Sequence, residues 1–284
     1  MRSLLLTAVV IVSPILLAAE QPSEKSADEP TSALVDNPCP PSLPMPQAMA
    51  GGLDRMLNPG KLEGDLQSLY GRPEVQDYLK AVQERARTDW PNLCRYRAEN
   101  AAAPKSLRAV FMGDSITEFW VRADPNLFAN DVVGRGISGQ TSPQMLLRFF
   151  QDVIELHPRT VHIMAGTNDI AGNTGPGTAQ DFKNNIMAMV ELAHAHRIRV
   201  VLASIPPARG FPWKPALRPA ADIVALNTWL KSYAESSRSG YVDYYSVLVD
   251  AQGGFQAALS NDGVHPNRDG YLRMRPLALK AVAK

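Results

Sequence analysis

Residues 107–117 read LRAVFMGDSIT, and this stretch indicates an α/β fold. The run Leu107–Met112 is almost wholly apolar, which is typical of a strand that is buried on both faces of a sheet. It leads through Gly113 and Asp114 to Ser115, where the polar residues predict a turn into a helix. Parallel sheets are built from strands that pass directly into helices in this way.

Four further apolar runs follow along the chain, and amphipathic stretches lie between and after them. The runs are Asp131–Gly134, Thr160–Ala165, Arg199–Ser204 and Tyr241–Ser246, and the amphipathic stretches are Pro143–Leu156, Ala179–His196, Asp222–Ser237 and Tyr271–Val282. Strands that alternate with helices form parallel sheets through right-handed connections. We therefore expect an α/β, flavodoxin-like fold: a three-layer α/β/α sandwich with a central five-stranded parallel sheet.

Composition excludes several classes of protein. The chain has 284 residues, of which 45% are hydrophobic, so it can bury a sizeable core. Its 29 Lys and Arg against 28 Asp and Glu give a net charge of +1 without a basic run, which argues against a nucleic-acid partner. With two cysteines it is neither a disulfide-dense miniprotein nor a Cys-rich zinc module.

The first 19 residues have the pattern of a signal peptide. Arg2 precedes a short apolar run that Ser13-Pro14 interrupts, and Ala18 and Ala19 end it. An uncleaved anchor is the alternative. A lipoprotein would need a cysteine where Glu20 stands. We expect a periplasmic or secreted protein with no integral membrane span after cleavage.

Export would place Cys39 and Cys94 in an oxidising compartment. Two thiols in such a compartment most often pair, so we expect a disulfide between them, with two unpaired thiols as the alternative. Neither cysteine lies in a motif with a histidine partner, which argues against a catalytic thiol.

Three segments follow the signal peptide. Residues 20–60 hold eight of the 23 prolines and read as a linker or extended arm. Residues 61–104 form a predicted N-terminal helical extension, with an amphipathic helix over Arg72–Thr88. Residues 105–284 contain all five predicted strands and form the main domain.

A nucleophile and its base can be assigned from two short segments. Ser115 lies at the predicted turn from strand to helix, where a following helix offers free N–H groups, although a serine there is also an ordinary helix cap. Asp262 and His265 lie together after the last strand, where the carboxylate can hold the imidazole so that its other nitrogen takes the serine proton. The same residues would also suit a plain turn.

Donors for an oxyanion follow the second and third strands. Gly139, in the segment GRGISGQ, can present a bare backbone N–H, and Asn168, in GTND, offers a side-chain amide. Each segment alone could be turn chemistry. In parallel sheets, however, ligands gather at the carboxyl ends of strands, where all four segments are expected.

These four segments resemble the four blocks of the SGNH, or GDSL-type, hydrolase family. The blocks correspond to Gly113–Ile116, Gly136–Gly139, Gly166–Asp169 and Asp262–His265, with Ile116 in place of the usual leucine. The resemblance implies the SGNH hydrolase fold, with Ser115 as nucleophile, His265 as general base and Asp262 as its orienting residue. It also implies an oxyanion hole made of the N–H groups of Ser115 and Gly139 and the amide of Asn168. It does not cover residues 20–103.

The segment Ile205–Pro219 supplies candidate substrate contacts. It holds five prolines together with Phe211 and Trp213, and it follows strand four at the same edge of the sheet. Aromatic rings stack on sugar faces and on aryl groups, so we predict that Phe211 and Trp213 bind substrate. Alternatively, the two rings only anchor the loop to the core.

Together these features predict an exported serine esterase, a carboxylic ester hydrolase without a metal or cofactor. Its substrate would be a small-molecule or carbohydrate ester of a short acyl group such as acetyl, which is the substrate class that members resembling this chain often take. An O-acyltransferase with the same triad is the first alternative. A carbohydrate-binding protein without catalytic activity is the second.

Overall fold

The computed structural model of the protein describes residues 34–60 and 66–283. The predicted signal peptide, residues 1–19, lies outside the described residues, as do residues 20–33 of the proline-rich segment. Residues 34–39 belong to a unit that ends at Cys39, and a second unit begins at Pro40.

Five strands form one parallel sheet, as the apolar runs predict. They are β1 (Ala109–Gly113), β2 (Val132–Gly136), β3 (Thr160–Met164), β4 (Arg199–Ala203) and β5 (Gly240–Val242). Their order across the sheet is β2-β1-β3-β4-β5, and every neighbouring pair is parallel. The chain therefore reverses its direction of winding between β1 and β3. Ligands of such sheets bind at this switch point, outside the carboxyl ends of the strands.

Helices precede the sheet and connect its strands. Before the sheet come α1 (Gln47–Leu57), α2 (Leu66–Tyr70), α3 (Pro73–Thr88) and α4 (Arg97–Ala101). Between the strands, or after the last of them, come α5 (Ser115–Ala123), α6 (Ser142–Phe149), α7 (Thr167–Ala171), α8 (Ala179–Ala195), α9 (Ala220–Ser236), α10 (Tyr245–Leu248) and α11 (Arg268–Val282). A π-helical turn, Phe150–Ile154, continues α6.

The sheet separates two apolar clusters, which makes the fold a three-layer α/β/α sandwich. Val110 and Met112 of β1 belong to the cluster that contains residues of α6, α8 and α9. Ala109 and Phe111 of the same strand belong to the cluster that contains residues of α1, α5 and α11. Because successive side chains of a strand point to opposite faces, an unbroken apolar strand serves both layers. The predicted fold class is confirmed.

Residues 47–57 differ from the extended arm that their sequence predicts, because they form the helix α1. Its last residue, Leu57, is fully buried in the second cluster. Asp54 of α1 pairs with Arg122 at 2.7 Å, and the side chain of Asn261 donates to the carbonyl of Met56 at 2.9 Å. These partners lie far along the chain, so tertiary contacts support a helix that a local pattern does not predict.

The remaining findings concern the cysteines and the membrane. Cys39 and Cys94 are both disulfide-bonded, which confirms the predicted disulfide. Within residues 34–60 and 66–283, no helix is long and apolar enough to span a membrane.

Candidate active site

The turn from β1 into α5 places Ser115 at the carboxyl edge of the sheet. Asp114 caps the helix, since its Oδ1 atom accepts the N–H of Ile116 at 2.9 Å. This cap starts the helix at Ser115, directly after the strand. At Gly136, on the neighbouring strand, a Cβ atom would collide with the backbone of Thr117 and Glu118, so only glycine allows β2 to approach α5 so closely.

The loop before α11 places His265 beside this serine. The Nε2 atom of His265 lies 2.9 Å from the Oγ atom of Ser115. On the other side of the ring, Nδ1 lies 2.6 Å from Oδ2 of Asp262. Three side chains predicted from segments 150 positions apart are thus in contact. A neutral imidazole with its proton on Nδ1 leaves Nε2 free to accept the serine proton.

The loop itself holds the carboxylate of Asp262. Its Oδ1 atom accepts the backbone N–H groups of Val264 at 2.9 Å and His265 at 2.8 Å. Burial raises the pKa of this carboxyl, but the positive charge of protonated His265 and these hydrogen bonds outweigh burial and lower the pKa to about 2. Asp262 therefore carries its negative charge throughout the neutral range.

The same pair changes the basicity of His265. Burial lowers the pKa of the imidazole, but the charge and hydrogen bond of Asp262, with a further contribution from the charge of Asp114, outweigh it. The net effect raises the pKa above the ordinary value of 6.5. A stronger base accepts the serine proton more readily, provided that the pH keeps it unprotonated.

The residues predicted to supply the oxyanion donors follow β1, β2 and β3 at the carboxyl edge of the sheet. Gly139 follows β2 with a φ of +79°, a conformation that favours glycine, and it is exposed. Among the described residues, neither its N–H nor that of Ser115 donates to another protein atom, which leaves both for an incoming oxygen. Asn168 is the second residue of α7, directly after β3, and only 3% of it is exposed.

The amide of Asn168 is joined to the nucleophile turn. Its Nδ2 atom donates to Oδ2 of Asp114 at 3.1 Å and to the carbonyl of Gln140 at 3.0 Å. Burial raises the pKa of Asp114 to about 6, against the opposing effects of the Ile116 N–H and of His265. Asp114 therefore links the cap of α5 to the amide at the end of β3.

Residues 90–100, which precede β1, brace the segment that carries Gly139. The hydroxyl of Tyr96 donates to the carbonyl of Gly136, and the side chain of Gln140 donates to the carbonyl of Pro91 at 2.7 Å. Gln140 in turn accepts from Arg148, which is fully buried. We call residues 90–100 the brace.

A buried ion pair, Arg148 with Asp152, supports the brace through hydrogen bonds. Arg148 pairs with Asp152 of the π-helical turn at 2.9 Å and donates to the carbonyl of Gly113 at 2.9 Å. The other oxygen of Asp152 accepts from Asn100 at 2.6 Å. A buried guanidinium and carboxylate are tolerated because each finds hydrogen-bond partners in the interior.

The proline-rich loop buries one of its two predicted aromatic contacts and exposes the other. Phe211 is 1% exposed, whereas Trp213 is 42% exposed and stacks on it with ring centroids 5.2 Å apart. Trp213 Nε1 donates to Oδ1 of Asn173 at 3.0 Å. A cavity of about 310 Å³ separates this loop from Asp262 and Gly263. Phe211 is one of the residues that line this cavity, and Trp213 presents its ring at the surface of the loop.

Several residues of the site were not singled out from the sequence. Asp114 reads as an ordinary helix cap, and its second role becomes visible only when β3 brings Asn168 beside it. Asn173 lies in a loop whose glycines predict flexibility. Nothing in its sequence predicts a partner in Trp213, which lies 40 positions later.

A serine, a histidine and an aspartate joined in series at the switch point of a parallel sheet characterise the SGNH class of serine hydrolases. A family model for the GDSL-like lipase/acylhydrolase family matches residues 111–273, which is more than half of the chain. The chain belongs to this family and is a carboxylic ester hydrolase.

Two solved structures and one curated relative are similar to this chain. A candidate acylhydrolase from Bacteroides fragilis is 45% identical with a TM-score of 0.66, covering 68% of this chain and 97% of its own. A variant of an acetyl xylan esterase from Geobacillus stearothermophilus is 23% identical with a TM-score of 0.51, covering 61% and 93%, and shares the fold. An uncharacterized lipoprotein, YqeF, from Bacillus subtilis is 35% identical over 80 residues, which are 27% of this chain and 33% of that protein. The chain thus matches about a third of the length of that relative.

Proposed function

We propose that the protein is an exported esterase that hydrolyses short-chain acyl esters, acetyl esters of carbohydrates foremost, through an acyl-Ser115 intermediate. The observation that carries the proposal is the continuous series of contacts from Ser115 Oγ through His265 to Asp262, at 2.9 and 2.6 Å. Both distances are those of hydrogen bonds along which a proton can move.

Acylation begins when His265 takes the hydroxyl proton of Ser115 on Nε2. The serine oxygen attacks the carbonyl carbon of the ester, and the carbonyl oxygen becomes an oxyanion. The free N–H groups of Ser115 and Gly139 stabilise that charge. The amide of Asn168 joins them when one of its two hydrogens leaves its bond to Asp114 or to the Gln140 carbonyl for the oxyanion. The intermediate collapses, and His265 returns its proton to the departing alcohol.

Deacylation repeats these steps with water. His265 removes a proton from a water molecule, whose oxygen attacks the acyl carbon. The second tetrahedral intermediate then collapses: the bond between the acyl carbon and Ser115 Oγ breaks, the carboxylic acid leaves, and Ser115 regains its proton from His265. Asp262 stays ionised throughout and stabilises the imidazolium in both halves of the reaction.

The alcohol side of the substrate is proposed from the proline-rich loop. Trp213 presents an exposed ring, and the cavity of about 310 Å³ between its loop and Asp262 has room for a sugar-sized group. Aromatic rings bind the apolar faces of sugars. The acetyl group is proposed because members that this chain resembles are often esterases for short acyl groups.

Export is proposed from the amino terminus and the cysteines. The signal-peptide pattern of residues 1–19 and a disulfide both favour an oxidising compartment outside the cytoplasm. The partial match to a lipoprotein also supports this location.

The test combines substrate profiling with active-site labelling. The purified protein is assayed with p-nitrophenyl acetate, butyrate and octanoate and with acetylated xylan, and a fluorophosphonate label is located by mass spectrometry. We expect the acetyl ester to be cleaved with the highest kcat/KM and Ser115 to carry the label. Ser115→Ala should lose several orders of magnitude in rate while its Tm is retained.

Two outcomes would overturn the proposal. Labelling of a different serine would remove Ser115 from the mechanism, and a preference for octanoate would remove the short-acyl assignment. Product analysis with an added xylo-oligosaccharide separates hydrolysis from transfer: acetate release supports the esterase, whereas acetylated sugar as the main product would make the protein an acyltransferase.

A further inference from the structure

A directional series of hydrogen bonds runs from the surface of the proline-rich loop to the predicted oxyanion amide. Trp213 Nε1 donates to Asn173 Oδ1 at 3.0 Å, and Asn173 Nδ2 donates to Asn168 Oδ1 at 2.6 Å. Asn168 Nδ2 then donates to Asp114 and to the carbonyl of Gln140. Every bond in the series points inward, from the exposed indole to the nucleophile turn.

The outer end of the series sets the orientation of Asn173. A side-chain amide can present either its oxygen or its nitrogen in a given direction. An indole N–H can only donate, so it binds the oxygen of Asn173. The nitrogen of Asn173 is thereby turned towards Asn168.

The inner end of the series sets the orientation of Asn168. Its oxygen accepts from Asn173, and the carbonyl of Gln140, which can only accept, binds its nitrogen. If Asn168 reversed, its oxygen would face the Gln140 carbonyl and the Asp114 carboxylate, while two amino groups would face each other. Asn173 thus helps to keep the donor hydrogens of Asn168 turned towards Asp114, in the nucleophile turn, and towards the Gln140 carbonyl.

The backbone of Asn173 adds a second attachment. Its N–H donates to the carbonyl of Asn168 at 3.1 Å, and Gly172, with a φ of +64°, makes the turn between the two residues. Trp213 in turn rests on the buried ring of Phe211. The two exposed residues of the series therefore stand on fixed supports.

We propose that Asn173 is a positioning residue for the oxyanion amide, and that Trp213 couples the binding of the alcohol portion of the substrate to that amide. The inference rests on the proposed function and deepens it. Water competes for the Trp213–Asn173 hydrogen bond while both side chains are exposed. A sugar ring or other flat group over Trp213 excludes that water, strengthens the bond and holds Asn168 more firmly. Substrates that cover Trp213 then gain in kcat as well as in binding.

The test is a double-mutant cycle on the full-length protein with acetylated xylo-oligosaccharide as the substrate. We expect Asn173→Ala to lower kcat about tenfold with KM nearly unchanged, which corresponds to one lost hydrogen bond. In the background of Asn168→Ala the same change should have no further effect, because the group that it positions is absent. Asn173→Asp has the same shape but carries oxygen where Asn168 needs a donor, so its kcat should fall at least as far.

A second cycle tests the outer bond. Trp213→Phe keeps a ring for stacking and removes the N–H, so kcat should fall severalfold in the native background and stay unchanged when Asn173 is already Ala. Trp229 of α9, whose ring stacks on Tyr233 with centroids 5.0 Å apart, is the matched control: Trp229→Phe should leave kcat and KM as they are. Tm is measured for every variant.

Distinct results would overturn the inference and the proposed function. Equal losses from Asn173→Ala with and without Asn168 would show a general structural role, and an effect on KM alone would show substrate contact. If either result is obtained and Ser115→Ala is inactive, the proposed coupling is overturned and the esterase assignment stands. An active Ser115→Ala would instead overturn the proposed function.

Discussion

Asp262 holds His265 at two points, through a 2.6 Å contact to the ring and a 2.8 Å hydrogen bond from the backbone N–H. The carboxylate therefore fixes the loop and the imidazole together. Since the pKa of Asp262 is lowered to about 2, the carboxylate stays ionised and keeps both contacts at any pH at which the enzyme is expected to work.

The first prediction concerns pH. The raised pKa of His265 places the loss of its proton above 6.5, and only the neutral ring accepts the serine proton. We expect kcat/KM to rise with pH through one ionisation above 6.5 and to fall as the pH decreases through it. Asp262→Asn removes the charge that opposes burial, so the inflection should move to lower pH, with a smaller loss of maximal rate than Ser115→Ala causes. An inflection that stays in place would show that Asp262 does not set the basicity of His265.

The second prediction concerns the oxyanion amide. Asn168→Ala should lower kcat by about 100-fold to 1,000-fold with little change in KM, which is the size expected for one lost oxyanion donor. Steady-state kinetics with p-nitrophenyl acetate measure it. Asn184, an exposed residue of α8 whose amide oxygen accepts from Gln180 on the same helix, provides a matched Asn→Ala control that should retain full activity. A variant of Asn168 that loses only affinity would contradict the assigned role.

The third prediction concerns Gly139, whose φ of +79° disfavours other residues although nothing lies within 4 Å of the position of a Cβ atom. Gly139→Ala should cost about 1–2 kcal/mol of unfolding free energy through the backbone alone. It should also lower kcat, because the N–H shifts with the loop. Gly253, with a φ of +81°, is the matched position: Gly253→Ala should cost similar stability without a change in kcat. Equal kcat losses in the two variants would argue against an oxyanion role for Gly139.

The fourth prediction concerns the disulfide of Cys39 and Cys94. Reduction should decrease the unfolding free energy, by at most about 4 kcal/mol in the chain-entropy model, and so lower the Tm. The initial rate at about 25 °C should stay unchanged. Titration of the denatured, unreduced protein should detect no reactive thiol. Two titratable thiols would disprove the bond, and immediate inactivation by reductant would show that it shapes the active site.

The fifth prediction concerns the brace. Tyr96→Phe leaves the carbonyl of Gly136 without its hydroxyl partner, so unfolding free energy should fall by about 1–2 kcal/mol. That carbonyl lies just before Gly139, so losing its partner should also displace the predicted oxyanion donor. We therefore expect kcat to fall while KM changes little. Chemical denaturation and kinetics on the same sample test this. Tyr70, which is half exposed, offers the control substitution. A loss of stability without any change in kcat would separate the brace from catalysis.

The sheet and the placement of the candidate site residues at its carboxyl edge could be predicted from the sequence, because both depend on local signals. An apolar run such as Thr160–Ala165 identifies a buried strand, and the polar residues after it must lie at the carboxyl edge of a parallel sheet. The sequence therefore predicts that Ser115, Asn168 and His265 lie together at this edge.

What the sequence did not predict depends on contacts between distant side chains. The sequence of residues 47–57 predicts a linker or extended arm in place of helix α1, because the support of this helix comes from Arg122 and Asn261 rather than from its own pattern. Phe211 and Trp213 look equivalent as a pair of aromatic residues, and only packing makes one a buried anchor and the other an exposed surface.

The brace has a consequence for engineering within the family. The family match begins at residue 111, yet the segment that presents Gly139 is held by residues 90–100. A fragment cut at the edge of the matched region would carry every one of the four blocks and still lack the support of one of them. Chimeras that exchange whole domains between relatives should therefore transplant this preceding segment together with the domain that it serves.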